Sequence, residues 1–277
     1  MRKTVMSMML GAATLAASCV SENHSELEPT DKGGMGVLTI DLKSDLPFTA
    51  NTRAVDENEY HNTDNYTVRL VNVSDGSEVF SCLASDLNDH LPCDLPIEGY
   101  YKVEAWYGVE HKASREEFRV EGSAEFTVQS EEEKKLLVTC TPTCGKLTVE
   151  FDSDMAKYFE DYNVTYGGTK ALAEETITWE KTDMDPWYIA LTPEGETVKY
   201  TINLTTKDAY VHVNAEGEET NEAKVEGSFT LQRNRAQHMK IAPKYTPGDS
   251  GLSITISIDD KTNEKNYEWE VPADWIY

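Results

Sequence analysis

Short stretches in which apolar and polar residues alternate dominate the chain. Gly36-Val37-Leu38-Thr39-Ile40-Asp41-Leu42 is one such run, and a period of two is the mark of a half-buried strand. The same pattern predicts strands over Tyr66–Val73, Glu78–Cys82, Tyr100–Tyr107, Glu117–Gln129 (long enough for two) and Lys134–Cys140. It predicts a second series over Asn163–Tyr166, Thr176–Glu180, Trp187–Leu191, Val198–Thr205, Tyr210–Asn214, Ala223–Gln232 and His238–Ala242. Turn residues such as Ser74-Asp75-Gly76 and Glu121-Gly122-Ser123 separate them. Only Asp154–Tyr162 reads as locally helical. Near the C-terminus, Gly251–Asp259 and Tyr267–Val271 flank a turn at Asp260-Lys261-Thr262-Asn263 and predict a hairpin.

The strand series repeats. Gly36-Val37-Leu38-Thr39-Ile40 returns as Gly145-Lys146-Leu147-Thr148-Val149 and again as Gly251-Leu252-Ser253-Ile254-Thr255. Leu95-Pro96-Ile97-Glu98-Gly99 returns as Leu191-Thr192-Pro193-Glu194-Gly195, and Val120-Glu121-Gly122-Ser123 as Val225-Glu226-Gly227-Ser228. The order is kept, and the offsets of 109 (Leu38 to Leu147), 96 (Leu95 to Leu191) and 105 (Gly122 to Gly227) suit one sandwich domain each. The pattern therefore predicts an all-β protein of two tandem Greek-key, immunoglobulin-like β-sandwiches, residues 36–142 and 143–247, followed by a C-terminal β-hairpin extension, 248–277.

The first residues follow a different rule. Arg2 and Lys3 precede an apolar stretch, Val5–Ala17, which is too short to span a bilayer. Ala16-Ala17-Ser18 then leads into Cys19. This order resembles the lipobox of bacterial lipoproteins. It implies a signal peptide over 1–18, a lipid on Cys19, a flexible tether over 19–35, and a protein held at the outer membrane or cell surface. An ordinary secretory signal with an incidental cysteine is the alternative. No later stretch approaches 18 apolar residues.

Charge narrows the partners. The chain holds 50 acids against 25 bases, a formal net charge of −25, and losing Arg2 and Lys3 with the signal takes it to −27. Such a surface repels nucleic acid, which is excluded as a partner. The acids are spread, with no calcium-loop spacing, so neither metal nor cofactor is expected. Four cysteines remain after Cys19. Cys82 with Cys93, and Cys140 with Cys144, are candidate disulfides in an oxidising compartment, with four buried free thiols as the alternative. The six histidines are scattered, and nucleophile elbows, phosphate loops and zinc-binding His-Glu-x-x-His are absent from the sequence. No catalytic residue is named and no enzyme is expected. Exposed aromatics would suit sugar stacking, with Trp187 and Tyr188 after Asp185-Pro186 as the candidates among Trp106, Trp179, Trp187, Trp269 and Trp275.

The lipobox, the Gly-x-Leu-x-Ile strand, Thr52-Arg53-Ala54 before Tyr66-Thr67-Val68-Arg69-Leu70, Leu95–Ala105 and the closing Val271-Pro272-Ala273-Asp274-Trp275 together resemble lipoproteins of Bacteroides-type anaerobes. The group they resemble is an uncharacterised-domain family akin to fimbrillins, lipoprotein-derived pilins with two transthyretin-like sandwiches. The resemblance implies a structural or adhesive surface subunit that partners other fimbrial subunits. A glycan-binding accessory lipoprotein is the second reading. In fimbrillins an Arg-specific protease removes the first strand, and a neighbour's strand refills the groove. By that resemblance Arg53-Ala54 is the candidate cleavage site, and Leu252, Ile254, Ile256 and Ile258 the apolar face of a candidate donor strand. The plainer possibility is that this hairpin folds back on its own second domain and Arg53 is a surface arginine.

Overall fold

The computed structural model describes residues 34–48, 55–129, 133–208, 212–213, 217–246, 251–259 and 264–265. The described chain is all-β, and the alternation read from the sequence has a physical counterpart in burial. On the first strand Leu38 and Ile40 are buried while Thr39 and Asp41 face outward.

The first half contributes β1 (Met35–Ser44), β2 (Thr67–Asn72), β3 (Glu78–Leu83), β4 (Cys93–Pro96), β5 (Tyr100–Tyr107), β6 (Ala113–Ser114), β7 (Val120–Thr127) and β8 (Glu133–Pro142). Seven of these form one sheet in the order β3-β2-β5-β7-β8-β1-β4. It turns a corner between β7 and β8, where only Val120 and Glu121 pair, with Pro142 and Thr141. Gly122 permits that crossing, because a Cβ there would lie 2.4 Å from the Thr139 carbonyl oxygen. The sheet encloses a core of Val68, Leu70, Tyr66, Val103 and their neighbours. Each such large apolar side chain contributes about 1.5–3 kcal/mol by leaving water.

The second half contributes β9 (Cys144–Phe151), a single helical turn α1 (Met155–Tyr158), β10 (Phe159–Gly167), β11 (Ile177–Glu180), β12 (Trp187–Ala190), β13 (Glu196–Thr206), β14 (His212–Val213), β15 (Glu219–Thr220), β16 (Glu222–Leu231), β17 (Ala236–Thr246), β18 (Gly251–Asp259) and β19 (Glu264–Lys265). A four-stranded sheet, β11-β10-β13-β16, faces a six-stranded one, β19-β18-β17-β9-β12-β6. Their core includes Val164, Ile189, Val198, Ile202 and Ile241.

The repeat in sequence is a repeat of topology. β1 lies parallel to β8 and antiparallel to β4; β9 lies parallel to β17 and antiparallel to β12. The order β3-β2-β5-β7 answers to β11-β10-β13-β16. Leu38 and Leu147 thus sit on equivalent strands, as do Gly122 and Gly227. The two glycines serve different ends. Gly227 lies under the Tyr200 ring, whose hydroxyl would be 2.4 Å from an added Cβ.

Several expectations are corrected. The helix over Asp154–Tyr162 shrinks to α1, because β10 already pairs with β13 from Phe159 onward. Glu117–Gln129 is one strand, not two. β4 and β6 were unforeseen: β4 buries Leu95 alone among its residues, and β6 is two residues long. The expected strand Tyr267–Val271 lies outside the described residues; the one seen to close on β18 is Glu264–Lys265.

Candidate assembly site

The residues that bear on assembly fall in three places: the seat of β1, the seam between the sandwiches, and the outer edge of β17. β1 is an internal strand. Val37–Ser44 run parallel to Glu133–Cys140 on one side, and Met35–Leu38 pair antiparallel with Cys93–Pro96 on the other. Leu38 and Ile40, with Leu46 and Phe48 just beyond the strand, are all buried in the first core. Removing this segment would uncover four apolar side chains and an eight-residue ladder, a loss on the order of 6–12 kcal/mol from the side chains alone.

Val55 is also buried, and the turn that follows it is tied to the second sandwich. The Glu57 carboxylate, 1% exposed, sits 2.6 Å from the Lys146 ammonium of β9. It also accepts a hydrogen bond of 2.6 Å from the Tyr188 hydroxyl of β12. The Phe48 ring lies 5.8 Å from Lys146 Nζ, and Phe118 stacks on Tyr188 with ring centres 4.5 Å apart. A buried charge is tolerated only with such partners. Further along the seam, β6 extends from the first half to pair with Tyr188 and Ile189. Arg115, which follows it, lies 5.1 Å from the Trp179 ring centre and 4.5 Å from that of Trp187. It donates to the carbonyls of Asp185 and Thr178 and to the Asp183 carboxylate.

At the third place, β18 lies antiparallel on β17 from His238↔Asp259 to Thr246↔Gly251. Leu252, Ile254, Ile256 and Ile258 point into the second core and are all buried. The candidate donor strand is therefore seated in this same chain.

The other candidate residues are placed as follows. Cys19, Arg53, Ala54, Trp269 and Trp275 lie outside the described residues. Tyr188, expected as a sugar-stacking platform, is corrected: it is 1% exposed and committed to Glu57. Trp187 is half-buried beneath Arg115 and donates to the Thr178 carbonyl. The four cysteines are free thiols, Cys140 and Cys144 buried and Cys82 and Cys93 half-buried, so neither candidate bridge is formed in this structure. Burial pushes the Cys140 thiol up to about 12 and the Cys144 thiol higher still. Burial likewise raises Tyr60 and Tyr66 to about 12. Sequence reasoning missed Glu57 and Arg115. Neither stands in an alternating run, and each acquires its role only from partners far along the chain, 89 residues away for Lys146. Among the described residues no helix is long and apolar enough to cross a membrane.

Residues 34–273 match the family described as a domain of unknown function, DUF4493. No curated protein matches the chain. Among solved structures it is similar to a fimbrial assembly protein from Parabacteroides distasonis, at 13% identity and TM-score 0.41 over 84% of this chain and 98% of that one. It is similar to the fimbrial anchor protein Mfa2 from Porphyromonas gingivalis, at 12% identity and TM-score 0.39 over 82% and 98%. It is also similar to a protein provisionally assigned as polysaccharide-binding from Bacteroides thetaiotaomicron, at 11% identity and TM-score 0.41 over 81% and 98%.

Proposed function

The chain belongs to the DUF4493 family, whose description assigns no activity, and we propose that it is a fimbrillin-like structural or adhesive subunit of the cell surface. In this reading the precursor is exported as a lipoprotein and anchored through Cys19. Cleavage at Arg53-Ala54 then frees the segment that carries β1. The slot between β8 and β4 is refilled by a strand of a neighbouring subunit, and the Gly251–Asp259 segment is the donor.

What supports the proposal is the position of Arg53-Ala54 in the sequence, between the segment that carries β1 and the turn that carries Glu57. Upstream, Leu46 and Phe48 belong with β1. Downstream, Glu57 ties its turn to the second sandwich through Lys146 and Tyr188, while Val55 and Tyr60 pack in the first core. A cut there would take Phe48 out of the seam together with β1, and leave the Glu57, Lys146 and Tyr188 contacts in place. The vacated slot would present unpaired backbone groups and apolar walls, which favour strand addition. β18 has the matching character: an inward apolar row of Leu252, Ile254, Ile256 and Ile258, with Thr255 and Ser257 half-buried between them. Donation in trans requires it to leave β17, which it covers in the single chain.

The test is to express the full precursor and a variant lacking residues 250–277 in the native host and to examine surface fractions by unheated SDS electrophoresis. The proposal expects heat-labile, SDS-resistant ladders from the full chain and none from the truncated one. Monomer alone from both would contradict it.

A further inference from the structure

The outer face of the first sandwich carries a cavity of about 540 Å³ whose floor is the middle of the sheet. Trp106 of β5 stands there, flanked across the ladder by Thr67 of β2 and Glu121 of β7. The Arg69 guanidinium lies 5.9 Å from the Trp106 ring centre and that of Arg119 lies 5.5 Å away. Lys102 lines the same cavity, and Arg233 reaches it from the turn between β16 and β17 of the second sandwich. Two carboxylates, Glu104 and Glu121, are the acids of the lining. Acids outnumber bases two to one in the chain as a whole; here four cations face two acids.

The acids are already used. Glu104 is shared by Arg69 at 2.5 Å and Lys102 at 2.8 Å, which hold its carboxyl below the usual range. Glu121 accepts from Arg119 Nε at 2.8 Å, and Arg233 Nε donates to the Leu191 carbonyl at 2.6 Å. The terminal nitrogens of Arg119 and Arg233 hold no hydrogen bond among the described residues. Two guanidinium forks are thus held in place with donors to spare, the arrangement that grips a carboxylate. The floor excludes strand addition, because β5 is paired on both sides by β2 and β7. Recognition must come from side chains: an indole, cations, and the hydroxyls of Ser123 and Thr141. The volume falls in the usual range for small-ligand cavities.

We propose that this cavity binds an acidic saccharide, its carboxylate on Arg119 and Arg233 and its ring seated beside Trp106 and the two guanidiniums that flank the indole. Such a site would give a strongly acidic surface protein a local means of holding an anion. The inference stands apart from strand exchange: a monomer would bind equally, and a polymer that binds no sugar leaves the assembly reading intact.

Isothermal titration of the mature chain with trigalacturonate and 3′-sialyllactose tests it, with maltotriose as the neutral control and polyglutamate as the acidic-peptide control. Binding of at least one acidic saccharide is expected, weakening as salt is raised. Arg119→Gln with Arg233→Gln should weaken it at least tenfold. Ser123→Trp, at an exposed strand position, fills the cavity while leaving every ion pair in place, and should abolish binding even if the double variant folds poorly. Failure of both acidic saccharides to bind overturns the proposal. So does binding that both variants leave unchanged, or polyglutamate binding as tightly as the sugars.

Discussion

Glu57 shows how much one buried side chain can govern. It belongs to the first sandwich in sequence, yet its carboxylate is neutralised by Lys146 and capped by Tyr188 of the second. Removing one member strands the other's charge in the interior, so Glu57→Ala or Lys146→Met should each cost about 3–5 kcal/mol. Replacing both with apolar residues should cost clearly less than the two single effects together. Urea unfolding of the three variants decides it, and strictly additive losses would rule out a direct pair. The buried thiols and phenols make a second residue-scale prediction. Cys140, Tyr60 and Tyr66 are raised in the folded state, from 9 for the thiol and 10 for the phenols to about 12. A raised folded value means their contribution is complete below the unfolded value and is lost as pH climbs toward the folded one. The melting temperature should therefore fall progressively from about pH 9 to 12. In the native protein Cys82 and Cys93 should react with a thiol reagent at pH 8 well before Cys140 and Cys144. A flat alkaline profile, or four equal rates, would show that these groups are not sealed in the core. Cys19→Ala should release the protein from the membrane fraction or leave it unprocessed, since the lipid is the expected anchor.

At the scale of elements, legibility followed from whether a strand's own residues or its partners specify it. β5 at Tyr100–Tyr107 and β18 at Gly251–Asp259 were both read to the residue, because each carries several inward apolar side chains at a strict period of two. β6 could not be read. It has two residues, and its place is set by Tyr188 and Ile189 across the ladder and by Arg115 wedged between two indoles. The cavity around Trp106 was closer to the surface of the sequence than it looked. Arg69 is an outward residue of one predicted strand, and Lys102, Glu104 and Trp106 alternate on another; their adjacency depended on strand pairing that the pattern does not give. The energetic weight of β18 can be measured directly. Ile256 is fully buried, so Ile256→Ala should destabilise the protein by about 2–5 kcal/mol, whereas Thr255→Ala on the half-buried outward side should cost little. Equal small effects in thermal unfolding would mean that β18 contributes nothing to the isolated chain.

At the scale of the whole molecule, seven strands of each sandwich share one topology, and β6, β14 and β15 have no counterpart in the other set. The second sandwich has an added strand on β17; the first has, in β1, a strand that a single cut between Phe48 and Val55 would detach. In the proposed reading that asymmetry serves head-to-tail assembly by strand exchange, with Glu57, Lys146 and Tyr188 still joining the two sandwiches after β1 is lost. The most direct test is the N-terminal sequence of the protein taken from the native cell surface. The account predicts that assembled material begins at Ala54, with the segment carrying β1 gone. Assembled surface material that begins uniformly at the lipidated Cys19, with β1 retained, would contradict it.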